Sequence, residues 1–113
     1  MDKKITVYIA SPYTVGDTAL NVKAQMITAD ELMNEGLIPF VPLYSHFQHM
    51  MYPRPYEEWL DMDKQWVLRC DCLLRLEGES KGADIEVAFA LEHGIHVFHS
   101  IEEITNWYEV GIR

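Results

Sequence analysis

The chain has 113 residues, 49% of them hydrophobic, with three Trp, six Tyr, four Phe and a formal net charge of -9. That length fits one domain with a single real core, and the apolar share excludes a disordered chain. The charge repels phosphate backbones and argues against a nucleic-acid polymer as partner, while no apolar run approaches the ~20 residues of a membrane span. The start, MDKKITVYIA, enters a strand-like pattern with no signal-peptide layout, so a cytoplasmic protein is expected.

Ile5 to Ala10 (ITVYIA) is β-branched and nearly unbroken in apolar character, as a central strand covered on both faces requires. It breaks at Ser11-Pro12. Tyr13 to Asp17 reads as a loop, with Asp17 or Thr18 capping a helix that runs to about Glu35. Val22, Met26, Ala29 and Met33 recur at four, three and four residues and predict its buried stripe. Gly36 ends the helix. Leu37 to Val41 follows as a second short strand, placed at a sheet edge by Pro39.

Pro42 to Pro55 mixes prolines, aromatics, Met and two histidines without a period, which predicts an irregular binding loop. A helix from about Tyr56 to Arg69 comes next. Its Trp59, Asp63 and Trp66 are spaced four and three apart and share a face, so Asp63 either reaches water at the edge of that face or is held in a pocket. Cys70 and Cys72 are a poor disulfide pair and too few for a zinc site, and read as reduced thiols near the core.

Asp71 to Leu76 is a third strand leading into GESKGADIEVAFALEHG, Gly78 to Gly94. Gly78 and Gly82 bracket a polar loop, and Ala83 to His93 reads as an apolar helix closed by Gly94. Asp84 and Glu86 then fall in its first turn, where the positive dipole end holds a carboxylate ionised. They either complement the dipole and nothing more, or Glu86 is a nucleophile at a pocket mouth. The loop has neither the Lys-Ser/Thr of a P-loop nor G-x-G-x-x-G, which leaves a small-anion or sugar-hydroxyl cradle with Ser80 and the loop N–H groups. Tyr8, the polar exception of the first strand, either reaches solvent or donates to Glu86 from the adjacent strand. Ile95 to His99 is a fourth strand, and Ile101 to about Val110 a helix whose Ile104, Trp107 and Tyr108 cover the sheet.

The alternation predicts an α/β fold: one doubly wound, flavodoxin- or Rossmann-like domain over residues 1–113, with a parallel sheet of about four to five strands and helices on both faces. Ligands bind beyond the C-terminal strand ends of such sheets, which gathers Ser11 to Thr14, the Pro42 to Pro55 loop, Gly78 to Glu86 and Asp63. His46 and His49 either line that pocket or share a metal with Asp61 or Asp63. His93, His96 and His99 read as structural.

VYIASPYT after the first strand, the aspartate of DMDKQW before the third, and GESKGADIEVAFALEHG after it resemble the nucleoside 2-deoxyribosyltransferase superfamily, which includes the 2'-deoxynucleoside 5'-monophosphate N-glycosidases. The likeness spans nearly the whole chain in the right order. It implies that Glu86 attacks the anomeric carbon, that Tyr8 orients Glu86, and that Asp63 assists proton transfer to the leaving base. It further implies Tyr13 as the aromatic residue that stacks on the base and sets Ser80 at the first position of the Glu86 motif, while Ser11, Ser80, Gly82 and His46, gathered near the strand ends, are the further substrate contacts expected. No metal or organic cofactor is implied, and a homodimer or larger homo-oligomer is. Pro12-Tyr13-Thr14 stands where the monophosphate hydrolases carry Ser-x-Arg, and Asp84 is expected to raise a pKa in the site. The expected function is cleavage or transfer at an N-glycosidic bond of a nucleoside or its 5'-monophosphate. A catalytically idle nucleotide-binding or sensing module is the alternative, and a metal-dependent hydrolase using His46, His49 and Asp63 the third reading.

Overall fold

The computed structural model of the protein describes residues 4–112, so the first three residues of the MDKK start lie outside the described residues. Strands β1 (Thr6–Ala10), β2 (Ile38–Phe40), β3 (Cys72–Arg75) and β4 (His96–Phe98) form a sheet in the order β2-β1-β3-β4, parallel throughout. Helices α1 (Thr18–Asn34), α2 (Ser45–Met51), α3 (Tyr56–Arg69), α4 (Lys81–Glu92) and α5 (Ile101–Ile112) make up the rest, with a short 3-10 turn at Pro42–Tyr44. This is the expected doubly wound α/β fold, with four strands.

Alternation along the two central strands builds two cores. Val7, Ile9, Cys72 and Leu74 point to one face, where Ala29 and Leu32 of α1 and Ile104 of α5 cover them. Tyr8, Ala10 and Leu73 point to the other, against Val67 of α3 and Ala83 and Ala90 of α4. Trp107 and Tyr108 of α5 pack on the first core as the sequence predicts. Cys70 and Cys72 are free thiols, and burial pushes them up to about 11 and about 12.

Helix α1 is capped by Asp17, whose carboxylate accepts the Leu20 N–H at 3.0 Å, and the chain turns out of it at Gly36, φ +78°. Its buried stripe differs from the predicted one. Val22, Gln25, Ala29 and Leu32 face the core, while Met26 and Met33 are exposed. Both stripes have helical spacing; the observed one runs through a glutamine because the glutamine is hydrogen-bonded on all sides.

The segment after β2 is also more ordered than an irregular loop. Pro42 starts the 3-10 turn and α2 follows, between prolines that flank it without interrupting it. None of the seven α2 residues is buried, so the sequence carries no apolar period to announce a helix. Among the described residues, no helix is long and apolar enough to cross a membrane.

Candidate active site

Beyond the C-terminal ends of β1 and β3 lies a cavity of about 550 Å³. The loop after β1 contributes Ser11, Tyr13 and Thr14; α3 contributes Tyr56, Trp59, Leu60 and Asp63; the start of α4 contributes Ser80, Gly82 and Glu86. Parallel pairing of β1 with β3 brings these segments together, because it sets the two strand ends side by side.

Glu86 is at the cavity floor, 7% exposed. Helix α4 begins two residues earlier than the sequence suggests: Ser80 is extended and its Oγ accepts the Ala83 N–H at 3.1 Å, a Ser N-cap. Glu86 is therefore in the second helical turn and not at the dipole end. Its pKa is raised, chiefly by burial, where a first-turn position was expected to keep it ionised. Hydrogen bonds from Tyr8 and Asp63 and the charge of Arg75 oppose that rise.

The Tyr8 hydroxyl, wholly buried behind Glu86, donates to Glu86 Oε2 at 2.6 Å. Burial first, and then the Glu86 charge, hold the phenol far above its ordinary pKa, so it stays a donor at any working pH. The Asp63 carboxyl reaches Glu86 from α3. Burial, followed by the charge of Glu86 and a hydrogen bond to it, pushes Asp63 up to about 8. Burial thus raises both carboxyls, and Asp63, at about 8, is the one that holds a proton at neutral pH.

The remaining predicted residues take different places. Ser11, Tyr13, Ser80 and Gly82 all line the cavity. His46 does not; it stands behind Tyr13, its Nδ1 sharing a 2.5 Å hydrogen bond with the Tyr13 hydroxyl. His49 lines the cavity instead, and its Nδ1 accepts from Trp59 Nε1 at 2.9 Å and from the Arg54 N–H at 3.3 Å. Both histidines are thus braces for aromatic walls. Among the described residues, no three His, Cys, Asp or Glu side chains gather as metal ligands, so the grouping of His46, His49 and Asp63 is not assembled. Asp84 is in the first turn as predicted, but it faces outward and pairs with Arg75 Nη2 at 3.0 Å. That guanidinium also donates to the Leu76 and Gly78 carbonyls, tying the loop to β3, and it offsets the crowding that Asp84 was expected to impose on Glu86.

Three residues of the site escape a reading by pattern. Tyr56 sits over Gly82 so closely that a Cβ there would lie 2.8 Å from the Tyr56 hydroxyl oxygen. Arg54 and Lys81 bring positive charge to the cavity wall of an acidic chain. The spacing of Tyr56, Trp59, Leu60 and Asp63 at three, four and seven residues was the available signal for Tyr56. Arg54 and Lys81 have none: Arg54 belongs to the connection before α3, and Lys81 opens α4 at a position that the sequence reads as loop.

Residues 5–100 match the family described as a domain of unknown function (DUF7768), and the chain belongs to that family. A comparison with curated proteins finds no match.

Proposed function

We propose that this member of the DUF7768 family cleaves or exchanges the N-glycosidic bond of a nucleoside or nucleoside 5'-monophosphate, with Glu86 as nucleophile. The observation that carries the reading is the buried Tyr8–Glu86 hydrogen bond with the protonated Asp63 carboxyl interacting with Glu86 in the same nucleoside-sized cavity. The same three residues carry the resemblance to the nucleoside 2-deoxyribosyltransferases.

In the first step a Glu86 oxygen bonds to the anomeric carbon as the C–N bond breaks, and the Asp63 proton passes to the departing base nitrogen. In the second, water or another base attacks the same carbon, the Glu86 ester bond breaks, and the incoming group's proton returns to Asp63. Both steps pass through an oxocarbenium-like state that the pair's negative charge stabilises. Trp59 and Tyr13 offer aromatic faces to the base, and Arg54 and Lys81 offer charge to a 5'-phosphate. A second copy of the chain is the partner suited to the exposed Phe47, Met50 and Met51 of α2, and light scattering at twice 13.2 kDa or more is the expected result. The free thiols suit a reducing cytoplasm.

The test is chromatographic. Purified protein is incubated with deoxynucleosides, ribonucleosides and their monophosphates, with and without an acceptor base, beside Glu86→Ala. Free base from the parent alone supports the reading, and dependence on acceptor separates transfer from hydrolysis. Binding without turnover, surviving Glu86→Gln, would make the protein a nucleotide-binding module instead.

A further inference from the structure

Gln25 is the one fully buried polar side chain of α1, 1% exposed, and it belongs to neither the nucleophile nor the acid. Its Nε2 donates to the Ile9 carbonyl at 3.0 Å, and its Oε1 accepts the Leu43 N–H at 3.2 Å. A backbone carbonyl only accepts and a backbone N–H only donates, so these two partners fix which end of the amide is which. The second Nε2 hydrogen then goes to Ser11 Oγ, at 2.8 Å. Ser11 is thereby an acceptor toward Gln25, and its own proton must point elsewhere. No described residue accepts it, and Ser11, 8% exposed, opens onto the cavity that holds Glu86.

We propose that Gln25 is a positioning residue that holds Ser11 with its hydroxyl proton free to donate into the cavity, so that the site binds ligands presenting an acceptor oxygen at that point. The ligand class rests on the nucleoside reading above. With Gln25 Nε2 donating to one of its two lone pairs, the Ser11 hydroxyl does not spend its proton on Gln25 and keeps it for a ligand acceptor. The acceptor is an oxygen of the sugar, the base or a 5'-phosphate, all of the same chemistry. Gln25 also ties the end of β1 to the turn after β2, so the donor and the cavity wall are set by one side chain.

The experiment is calorimetric titration of thymidine, 2'-deoxyadenosine and their 5'-monophosphates in a Glu86→Gln background, which prevents consumption of the probe. Ser11→Ala is expected to weaken binding roughly ten-fold, the loss of one hydrogen bond, while Ser11→Thr retains it. Gln25→Glu presents a carboxylate that only accepts; Ser11 turns its proton onto it and affinity falls similarly. Lowering the pH until that carboxyl is protonated restores a donor and an acceptor and recovers the affinity, except when Ser11→Ala is also present.

A loss confined to the monophosphates places the acceptor on the phosphate, and a loss shared by the nucleosides places it on sugar or base. Equal binding by Ser11→Ala overturns the proposal and leaves the glycosidic reading standing. A Ser11-dependent affinity in a protein that turns over none of its substrates upholds the proposal and sinks that reading, and no binding of any probe overturns both. Should Gln25→Glu fail to fold, the 15N-edited spectrum decides the polarity: Ser11→Ala must move one of the two Gln25 amide protons, and movement of neither refutes it.

Discussion

Replacing Asp63 by Asn separates the site's chemistry from its cost to the fold. In the unfolded chain this carboxyl titrates near 3.8, and in the folded protein burial and Glu86 push it up to about 8. Between those values the native state holds a proton that the unfolded chain has released, so raising the pH favours unfolding. The stabilisation tied to that proton is complete below about pH 4 and is lost as the pH rises through 8. A difference of about four pH units at about 1.4 kcal/mol each sets a ceiling of roughly 6 kcal/mol. Water entering through the cavity mouth screens the charge and brings the expected effect to about 2 kcal/mol.

The amide keeps the size of the side chain and an N–H for Glu86, but it does not titrate. Denaturant melts at about pH 4 should therefore find parent and variant within about 0.5 kcal/mol, whereas at about pH 8.5 the variant should be more stable by about 2 kcal/mol. Turnover should fall by at least about a hundred-fold, since an amide cannot protonate a leaving base. Parallel stability curves between about pH 4 and about pH 8.5 would refute the reasoning about the Asp63 proton, and undiminished turnover would remove Asp63 from the chemistry.

Tyr8→Phe removes the 2.6 Å donor to Glu86 while keeping the ring stacked on Phe40; losing about 1.5–3 kcal/mol of charge-assisted hydrogen bond should lower kcat/KM roughly ten- to hundred-fold and move the acid limb of its pH profile upward. Gly82→Ala drives a Cβ to 2.8 Å from the Tyr56 hydroxyl; the half-exposed ring swings away, so thermal stability should change by less than about 0.5 kcal/mol while KM rises, and a Tyr56→Ala background should abolish the rise. Leu74→Ala, in the centre of β3, should cost about 2–5 kcal/mol in denaturant melts with the cavity residues still in place. Asp71→Ala removes the acceptor for the Thr6 N–H at 2.9 Å and for its hydroxyl at 3.0 Å, a loss of about 1–2 kcal/mol readable as accelerated amide exchange at Thr6.

The strand positions and the sheet were legible because β-branched and apolar runs of strand length, separated by helix-length amphipathic segments, admit few other folds. Tyr8 and Glu86 were legible as polar residues on otherwise apolar stretches, and Asp63 as an acid between Trp59 and Trp66 on one helical face. Gln25 obeys the same rule, yet Met26 and Met33 offered a competing stripe of better hydrophobicity, and only the hydrogen-bond partners of Gln25 reverse the choice. Helix α2 was illegible because a helix with no buried face has no period to read. The direction of the Glu86 pKa was misjudged for a related reason. A sequence shows that Glu86 is close to a helix start, but whether dipole or burial prevails depends on a two-residue difference in where the helix begins and on what packs above it.

The site and the core are not independent achievements of this fold. In the observed register Val7 pairs with Cys72, Tyr8 with Leu73 and Ile9 with Leu74. Slipping β1 by one residue would turn Tyr8 into the layer under α1 and α5 and aim Val7 or Ile9 at Glu86. The phenol would then be buried in an apolar layer without its acceptor, at about 1–3 kcal/mol, and Glu86 would lose the donor that opposes its desolvation. The clamp of Asp71 on Thr6 holds β1 and β3 at the end remote from the cavity, where a slip would begin. The pairing that buries the apolar faces thus also selects which side of the sheet carries the Tyr8–Glu86 hydrogen bond, across 78 residues of sequence. A variant that weakens this clamp should lose activity in proportion to the population with a frayed β1, before global unfolding is detectable.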